Sequence, residues 1–294
     1  MATDMIVKVP KDFLDAFPVT TSRKVIREGR SEFVGWSDLE KVEIMNSRVF
    51  SAFDLQTFLS ILFAFTQEKV FDREWATQEG HFIPTKATTC QWSTFVKWYR
   101  KRELYRGPEI FESIKNIAGV TFVLSWKSKA KEIRRPLWHA ALYYYVDGKY
   151  NEVDQLRGRG RYAKRLSIGF TIDGDFWEAC QKGFHINIAP VLDLSNPMAI
   201  LLGVWIQGQK YTAIREDRLM QFVFRDLPSR AAYKRKGIFK AFDLLKRVGL
   251  ITDWYHDKEF GYHKYFWQKP EKFTYNPDWK YPPPEASDLY SLIS

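Results

Sequence analysis

Residues 227–268 constrain the fold more than any other stretch, because the signals of a helix and of a hairpin follow one another there directly. The stretch reads LPSRAAYKRKGIFKAFDLLKRVGLITDWYHDKEFGYHKYFWQ. Ser229 is a favoured N-cap residue, and Gly249 is the residue type favoured just past a helix C-terminus. The runs ITDWYH and YHKYFWQ are rich in β-branched and aromatic residues and flank DKEFG, whose glycine suits a hairpin loop. The sequence therefore predicts a long helix from Ser229 to Gly249 followed by a β-hairpin.

The predicted helix has two unlike faces when its residues are placed at about 100° each. One face is apolar and carries Ile238, Ala241, Phe242, Leu245 and Val248. The opposite face is polar and mostly basic, and it carries Ser229, Tyr233, Lys236, Lys240, Asp243 and Arg247. The first face suits a protein core and the second an anionic partner, although a lysine-rich, solvated surface helix is an alternative explanation.

A similar series of elements occurs twice in the chain. The helix-type segments SNPMAILLGVWIQGQ, with Ser195 as its expected N-cap, and TAIREDRLMQFVF precede the basic helix. Earlier, the helix-type segments SAFDLQTFLSILFAFTQE (capped at Ser51), QWSTFVKWYRKREL and PEIFESIKNIAG precede two strands, GVTFVLSW and PLWHAALYYYV, joined by the basic tip KSKAKEIRR. The segment DREWATQEGHFIPTKATT, which follows the first of these helix-type segments, has the composition of a loop. Between the two units, RLSIGFTI predicts a strand and DGDFWEACQKG a short helix. Three helices followed by a hairpin, twice over, predict an α+β chain with two tandem winged helix-turn-helix domains.

The chain of 294 residues exceeds the usual size of one domain, which agrees with a division into parts. We expect a weakly structured N-terminal arm (1–48), in which EFVGWSDLEKVEIM has room for one or two strands. A first winged-helix domain (49–156) and a second one (157–269) follow, and a proline-rich tail (270–294) ends the chain.

Composition favours a nucleic acid as the partner, because the net charge is +10 and the pI about 9.4. The two cysteines, Cys90 and Cys180, lie too far apart for a disulfide framework or a thiolate zinc site, which suggests a reducing, cytoplasmic location. No apolar run reaches the length of about 18 residues that a membrane span needs, so we expect no membrane association.

Charge distinguishes the third helices of the two units. That of the first unit carries Glu109 and Glu112, so we expect the first domain to serve in dimerisation or as an auxiliary DNA contact. The third helix of the second unit is strongly basic and is the expected reader of the DNA major groove, with its N-terminal half toward base edges and the other cations toward phosphates. The predicted DNA-binding residues are Ser229, Arg230, Tyr233, Lys234, Arg235, Lys236, Lys240 and Arg247 in this second unit, and Lys127, Lys129, Lys131, Arg134 and Arg135 in the first wing.

Residues 48–268 resemble the plasmid replication initiator (Rep) family, whose members hold two winged helices in tandem. The resemblance rests on SAFDLQTFLSILFAF, IFESIKNIAGVTFVLSW, RLSIGFTIDGDFWEACQKG, SNPMAILLGVWIQGQ and GIFKAFDLLKRVGLI. It implies binding to repeated origin sites (iterons) on double-stranded DNA, initiation by monomers, repression of the gene's own promoter by dimers, and contacts with host replication proteins such as a helicase or the sliding clamp. A transcriptional repressor of the same architecture is the alternative.

No enzymatic chemistry is expected. The chain holds no GxxxxGK[ST] phosphate loop, and its five histidines never occur as the closely spaced metal-binding pair of rolling-circle initiators. Asp173 and Asp175 could mark a metal-dependent nuclease or primase, but a turn and a helix N-cap explain both. His256 and His263 flank the predicted wing turn, and a wing-surface role is expected for them rather than a metal site. We therefore expect no cofactor and no bound metal.

Overall fold

The computed structural model has mixed α and β structure and describes residues 5–16, 31–34, 39–45, 51–76, 82–99, 107–118, 121–126, 134–138, 142–147, 167–224, 231–259 and 262–270. Its helices are α1 Lys11–Ala16, α2 Ala52–Gln67, α3 Trp92–Lys97, α4 Gly107–Ile117, α5 Gly174–Gln181, α6 Ala189–Leu192, α7 Pro197–Gly208, α8 Glu216–Phe224 and α9 Ala231–Arg247. Its strands are β1 Ile6–Val9, β2 Ser31–Val34, β3 Leu39–Met45, β4 Phe71–Ala76, β5 Phe82–Gln91, β6 Thr121–Trp126, β7 Arg134–Trp138, β8 Leu142–Asp147, β9 Ser167–Asp173, β10 Phe184–Asn187, β11 Ala213–Arg215, β12 Asp253–Glu259 and β13 Tyr262–Gln268.

Within the described stretches the strands pair antiparallel in sheets of order β1-β10, β2-β3-β6-β7, β4-β5-β9-β8 and β11-β13-β12. None of the helices described is long and apolar enough to cross a membrane. The prediction of a mixed α and β chain is confirmed.

The core of the second half forms around α7. Asn196, rather than the predicted Ser195, caps this helix, and its side chain accepts hydrogen bonds from the backbone N–H groups of Met198 and Ala199, both at 3.0 Å. Almost every side of α7 is buried, as expected for a helix that is apolar all round. A Cβ atom at Gly203 would lie 3.0 Å from the side chains of both Leu245 and Leu250, so the glycine lets α7 approach α9 closely.

Strand β11 replaces the first part of a predicted helix. The segment TAIREDRLMQFVF was predicted to be helical throughout, but Ala213–Arg215 pairs with β13, and α8 begins only at Glu216. The helical periodicity of this segment could not reveal strand β11, because the strand is stabilised by pairing with β13, about 50 residues away. We expected Leu219, Met220 and Phe222 or Val223 to point inward; Leu219, Phe222 and Val223 are buried, whereas Met220 is only partly buried.

Helix α2 begins the first half as predicted. Ser51 caps it through a reciprocal capping box with Asp54, and Asp54 also accepts a hydrogen bond from the Ser113 hydroxyl of α4 at 2.5 Å. Helices α2 and α4 therefore lie against one another at their N-terminal and central parts, joined by a buried carboxylate that is fully hydrogen-bonded.

The predicted loop DREWATQEGHFIPTKATT is wrong, because β4 and β5 form a hairpin there. Strand β5 is then extended by pairing with β9, a partner that local composition does not show. The next predicted helix, QWSTFVKWYRKREL, is shorter than expected: α3 ends at Lys97, and residues 100–102 lie outside the described stretches. Of the side on which we expected Trp92, Phe95, Val96 and Tyr99, the three aromatic residues are buried and Val96 is partly buried.

The predicted strand PLWHAALYYYV is divided between two sheets. Strand β7 pairs with β6, as the predicted hairpin requires, whereas β8 pairs with β9. Strand β9 thus lies between β5 and β8, so one sheet crosses the predicted limit between residues 156 and 157. The alternating aromatic pattern predicted strands correctly but could not show which partner each strand takes.

Residues 5–16, which were expected to be part of a weakly structured arm, belong to the folded core. Strand β1 pairs with β10, and Val7, Val9 and Phe13 are almost completely buried. Strands β2 and β3 confirm the one or two strands expected in EFVGWSDLEKVEIM. The predicted tail (270–294) lies outside the described stretches apart from Pro270.

Both halves contribute to one apolar core. Helix α2 packs against α7, and the buried side chain of Gln56 donates hydrogen bonds to the carbonyl oxygens of Val191, at 2.7 Å, and Leu194, at 3.0 Å. These two carbonyls precede α7, so α2 in the first half is hydrogen-bonded to the segment that leads into α7 in the second half.

Candidate nucleic-acid interface

Helix α9 presents the two faces that its sequence predicts. Ile238, Ala241, Phe242 and Leu245 are completely buried, and Val248 packs against the core from its edge. The Phe242 ring lies parallel to that of Tyr265, with 5.6 Å between centroids and 6° between planes. After the helix, Gly249 adopts a φ of +75°, which confirms the predicted glycine stop.

Three cations extend from the opposite face of α9 into solvent. Lys236, Lys240 and Arg247 are exposed, and they form no ion pair with any other residue that the structure describes. Lys236 and Lys240 are separated by four residues, so they lie on one side about 6 Å apart along the helix axis. Their ammonium groups are available to an anionic ligand.

Lys246, by contrast, lies at the C-terminal end of α9 and pairs with Asp253 at 2.7 Å. This contact lowers the pKa of the Asp253 carboxyl group. Lys246 was not among the predicted DNA-binding residues, and its partner agrees with a supporting role at the start of the hairpin.

Two predicted contact residues are engaged by the protein itself. The Arg235 guanidinium binds the Glu216 carboxylate through two hydrogen bonds, from Nε to Oε2 at 2.8 Å and from an Nη to Oε1 at 2.6 Å. The Lys234 ammonium lies 5.2 Å from the centroid of the Phe224 ring. Both residues therefore attach α9 to α8, and Arg235 in particular has a protein partner where a phosphate was expected.

The remaining predicted contact residues are placed only in part. Ser229, Arg230, Lys127, Lys129 and Lys131 lie outside the described residues. Tyr233 lies in the first turn of α9, and Arg134 and Arg135 begin β7, but only their backbone positions are described. Arg134 and Arg135 pair with Ser125 and Leu124 of β6, which locates them on the hairpin that was predicted as the first wing.

Glu216 joins three elements beneath α9. Besides Arg235, it accepts a hydrogen bond from the Tyr265 hydroxyl at 3.2 Å and lies 3.1 Å from Nε2 of His256. The hydrogen bonds from Arg235 are the main reason that the pKa of the Glu216 carboxyl group is lowered, and burial raises the pKa of the Tyr265 hydroxyl. A single carboxylate, only 12% exposed, thus fixes α8, α9 and the β12–β13 hairpin relative to one another.

Aromatic packing holds the same hairpin against α9. The Phe239 ring lies between 5.3 and 6.0 Å from the rings of Trp254, His256 and Tyr265. The indole N–H of Trp254 donates to the Asp243 carboxylate at 3.0 Å. Phe239 was absent from the predicted core face, although its position three residues before Phe242 is a signal that could have indicated it.

The residues considered for catalysis have structural roles where they are described. Asp173 is the N-cap of α5 and accepts a hydrogen bond from the backbone N–H of Phe176 at 2.9 Å, while Asp175 is exposed in the first turn. His256 and His263 are not surface residues of the hairpin: both are half-buried, with parallel rings 5.0 Å apart. Glu109 and Glu112 of α4 are exposed, as their predicted acidic surface requires.

The sequence matches no protein-family model, and a comparison with curated proteins finds no similar one.

Proposed function

We propose that this chain binds double-stranded DNA in a sequence-specific, non-enzymatic manner, with α9 as the helix that enters the major groove. The observation that carries this proposal is the division of α9 into a completely buried face and a face whose exposed cations form no ion pair with the described residues. Because the buried face fixes the rotation of the helix, the positions of Lys236 and Lys240 on its exposed face are fixed as well. Donors placed on the exposed face of a fixed helix suit the recognition of base edges.

The arrangement around α9 supports the same proposal. The order α7, β11, α8, α9, β12, β13, with sheet order β11-β13-β12, has the pattern of helices, hairpin and pairing strand that a winged helix-turn-helix requires. In the first half, α2, the β4 and β5 strands, α3, α4 and the β6–β7 hairpin follow one another, so helices again precede a hairpin. We infer two tandem winged helices, the second being the main DNA-binding unit.

The acidic surface of α4 favours a role for the first unit other than binding in a DNA groove. Glu109 and Glu112 would repel phosphates if α4 lay in a groove, and the Lys115 ammonium is 3.5 Å from Glu112. The first unit therefore fits dimerisation, with auxiliary DNA contacts made by its hairpin.

The resemblance to plasmid replication initiators makes the proposal more specific. We propose a cytoplasmic initiator that binds repeated origin sites and recruits host replication proteins, such as a helicase or the sliding clamp, with an equilibrium between monomer and homodimer. A winged-helix repressor of its own promoter is the alternative. The gene together with its neighbouring repeats should sustain replication of a circle that cannot otherwise replicate; failure while promoter binding persists would favour the repressor.

The DNA-binding proposal is tested by selecting a target from random duplexes and titrating salt. If roughly 6–8 phosphates are contacted, the slope of log affinity against log salt should be about −5 to −7. A matched scrambled duplex should bind with similar salt dependence but more weakly. A slope near zero, or equal affinity for both duplexes, would contradict sequence-specific DNA binding.

A further inference from the structure

Glu216, His256 and His263 bring three metal-binding side chains together beneath α9. Each offers one ligand atom, and all three atoms lie within 4.8 Å of one another. The residues come from three separate elements: Glu216 begins α8, His256 lies in β12 and His263 in β13. The two histidines are diagonal neighbours across the hairpin, since His256 pairs with Tyr265 and Lys258 with His263.

The hydrogen bonding of the His263 ring distinguishes this cluster from an ordinary hydrogen-bonded network. Its Nδ1 atom is shielded from solvent and has no hydrogen-bond partner in the part of the chain that the structure describes. Buried polar atoms are nearly always paired, so a buried ring nitrogen without a described partner calls for an explanation. A bound cation would provide one, because the lone pair of an unprotonated imidazole nitrogen is a metal ligand.

The rings of His256 and His263 lie close together. Their planes differ by only 5°, and their centroids are 5.0 Å apart. One nitrogen of each ring lies within 4.8 Å of the other and of a Glu216 oxygen. Zinc binding would require side-chain rotations that bring these nitrogens and the Glu216 oxygen to the ~2.0–2.2 Å of zinc–ligand bonds.

We propose that Glu216, His256 and His263 form a binding site for a divalent transition-metal ion of the Zn²⁺ type. Two imidazole nitrogens and one carboxylate oxygen are a ligand set that zinc uses, and a fourth position remains for water. Hard cations such as Mg²⁺ prefer oxygen ligands and should not compete. Metal binding goes beyond DNA recognition and can be measured without DNA.

Arg235 affects how tightly this site can bind a metal ion. Its guanidinium donates to both oxygens of Glu216, and the Tyr265 hydroxyl donates to Oε2 as well. Ligating carboxylates commonly accept such outer hydrogen bonds, which orient them. However, the positive charge of Arg235 opposes a nearby cation, so Arg235 should weaken the metal affinity while it positions the carboxylate.

The test uses the full chain after chelator treatment and desalting. Zn²⁺ is titrated against a colorimetric indicator, and Co²⁺ binding is followed by its visible absorption. We expect one saturable equivalent whose affinity falls at least tenfold in His263→Ala and in Glu216→Gln. The control is His185→Ala, which removes an exposed histidine on β10 and should leave this equivalent unchanged.

Folding is checked separately, since the cluster also supports the hairpin. His263→Gln keeps a polar side chain of similar length, and circular dichroism before the titration should show an unchanged fold. If a folded His263→Gln protein binds zinc as tightly as the wild type, or if the wild type shows no saturable binding, the metal site is excluded and the cluster is a hydrogen-bonded network only.

Arg235→Gln provides a test of the geometry. Removing the guanidinium charge should tighten Zn²⁺ binding several-fold if Glu216 is a ligand. Unchanged affinity in a folded Arg235→Gln protein together with unchanged affinity in Glu216→Gln would exclude Glu216 from the coordination and contradict the proposed three-residue site.

Discussion

Replacing Lys236 and Lys240 together by alanine tests the proposed recognition face of α9 most directly. Both side chains are exposed and unpaired within the described structure, so neither supports the fold. Substitutions at such positions usually change the unfolding free energy by less than about 0.5 kcal/mol. A loss of DNA binding could therefore not be attributed to unfolding.

The size of the loss depends on what the two lysines contact. If each donates to a base edge, each should contribute about 1–3 kcal/mol of discrimination, and the double variant should lose roughly 2–6 kcal/mol of specific binding if the effects add. The salt slope would then stay nearly unchanged. If both instead contact phosphates, binding to every sequence should weaken, and the slope should become shallower by about 1.8.

The assay is fluorescence anisotropy with the selected and the scrambled duplex at several salt concentrations. We expect the first pattern, in which specific binding falls and the salt slope is kept. The matched control is Lys11→Ala with Lys182→Ala, which removes the same charge from exposed positions on α1 and after α5. Equal affinity of the wild type and the Lys236→Ala, Lys240→Ala variant would refute the assignment of this face, as would an equal loss in the control.

Three further predictions concern the support of α9. Phe242→Ala should destabilise the protein by about 3–5 kcal/mol in urea unfolding, because the completely buried ring leaves a cavity against Tyr265; a loss below about 1 kcal/mol would contradict its core position. Gly249→Ala should cost about 1–2 kcal/mol although no atom obstructs its Cβ, because φ is +75°; Gly249→Asn should cost less, and equal costs would argue against backbone strain. Burial lowers the pKa of Lys269 to about 8 in the folded protein, so the unfolded chain binds more protons from there up to the ordinary lysine pKa of 10.5. Stability should therefore rise with pH across this window relative to Lys269→Met, and parallel pH profiles would contradict the burial of a charged Lys269.

The sequence predicted the elements whose signals are local. Helix α9 was located by its apolar periodicity and by Gly249, and α2 by its apolar periodicity and by Ser51 as the expected N-cap. The β12–β13 hairpin followed from two aromatic runs around a glycine. In each case the residues that define the element lie within a few positions of one another, so no knowledge of the tertiary fold was needed.

The errors arose where a distant partner decides the structure. Strands β5 and β9 pair across a sequence separation of about 80 residues, and β11 depends on β13. Such pairings override local composition, which explains why a strand was read as a loop and another as part of a helix. The same limit applied to the candidate site: Glu216 is 19 residues from Arg235 and 40 from His256, and nothing in the sequence joins these three residues.

The support beneath α9 explains why its cations divide into two groups. Arg235 and Lys234 lie toward α8, where Glu216 and Phe224 engage them, so they hold the helix rather than a ligand. Lys236 and Lys240 lie beyond the reach of these partners and keep their charges exposed. The helical periodicity placed Lys236 and Lys240, but not Lys234 or Arg235, on the face opposite the core, and the packing shows that the latter two position α9.

This arrangement also ties the proposed recognition helix to the rest of the chain. Helix α9 packs on α7 at Gly203, and α7 packs in turn on α2 of the first half. Gln56 of α2 donates hydrogen bonds to the carbonyl oxygens of Val191 and Leu194, which precede α7. These hydrogen bonds fix the position of α2 along this segment, in addition to the apolar packing. A buried amide that loses its hydrogen bonds costs free energy. Displacing α2 would therefore also displace the segment that precedes α7. A displacement of α2 therefore has a direct physical route, through α7, to the orientation of α9, the helix that we propose to contact DNA.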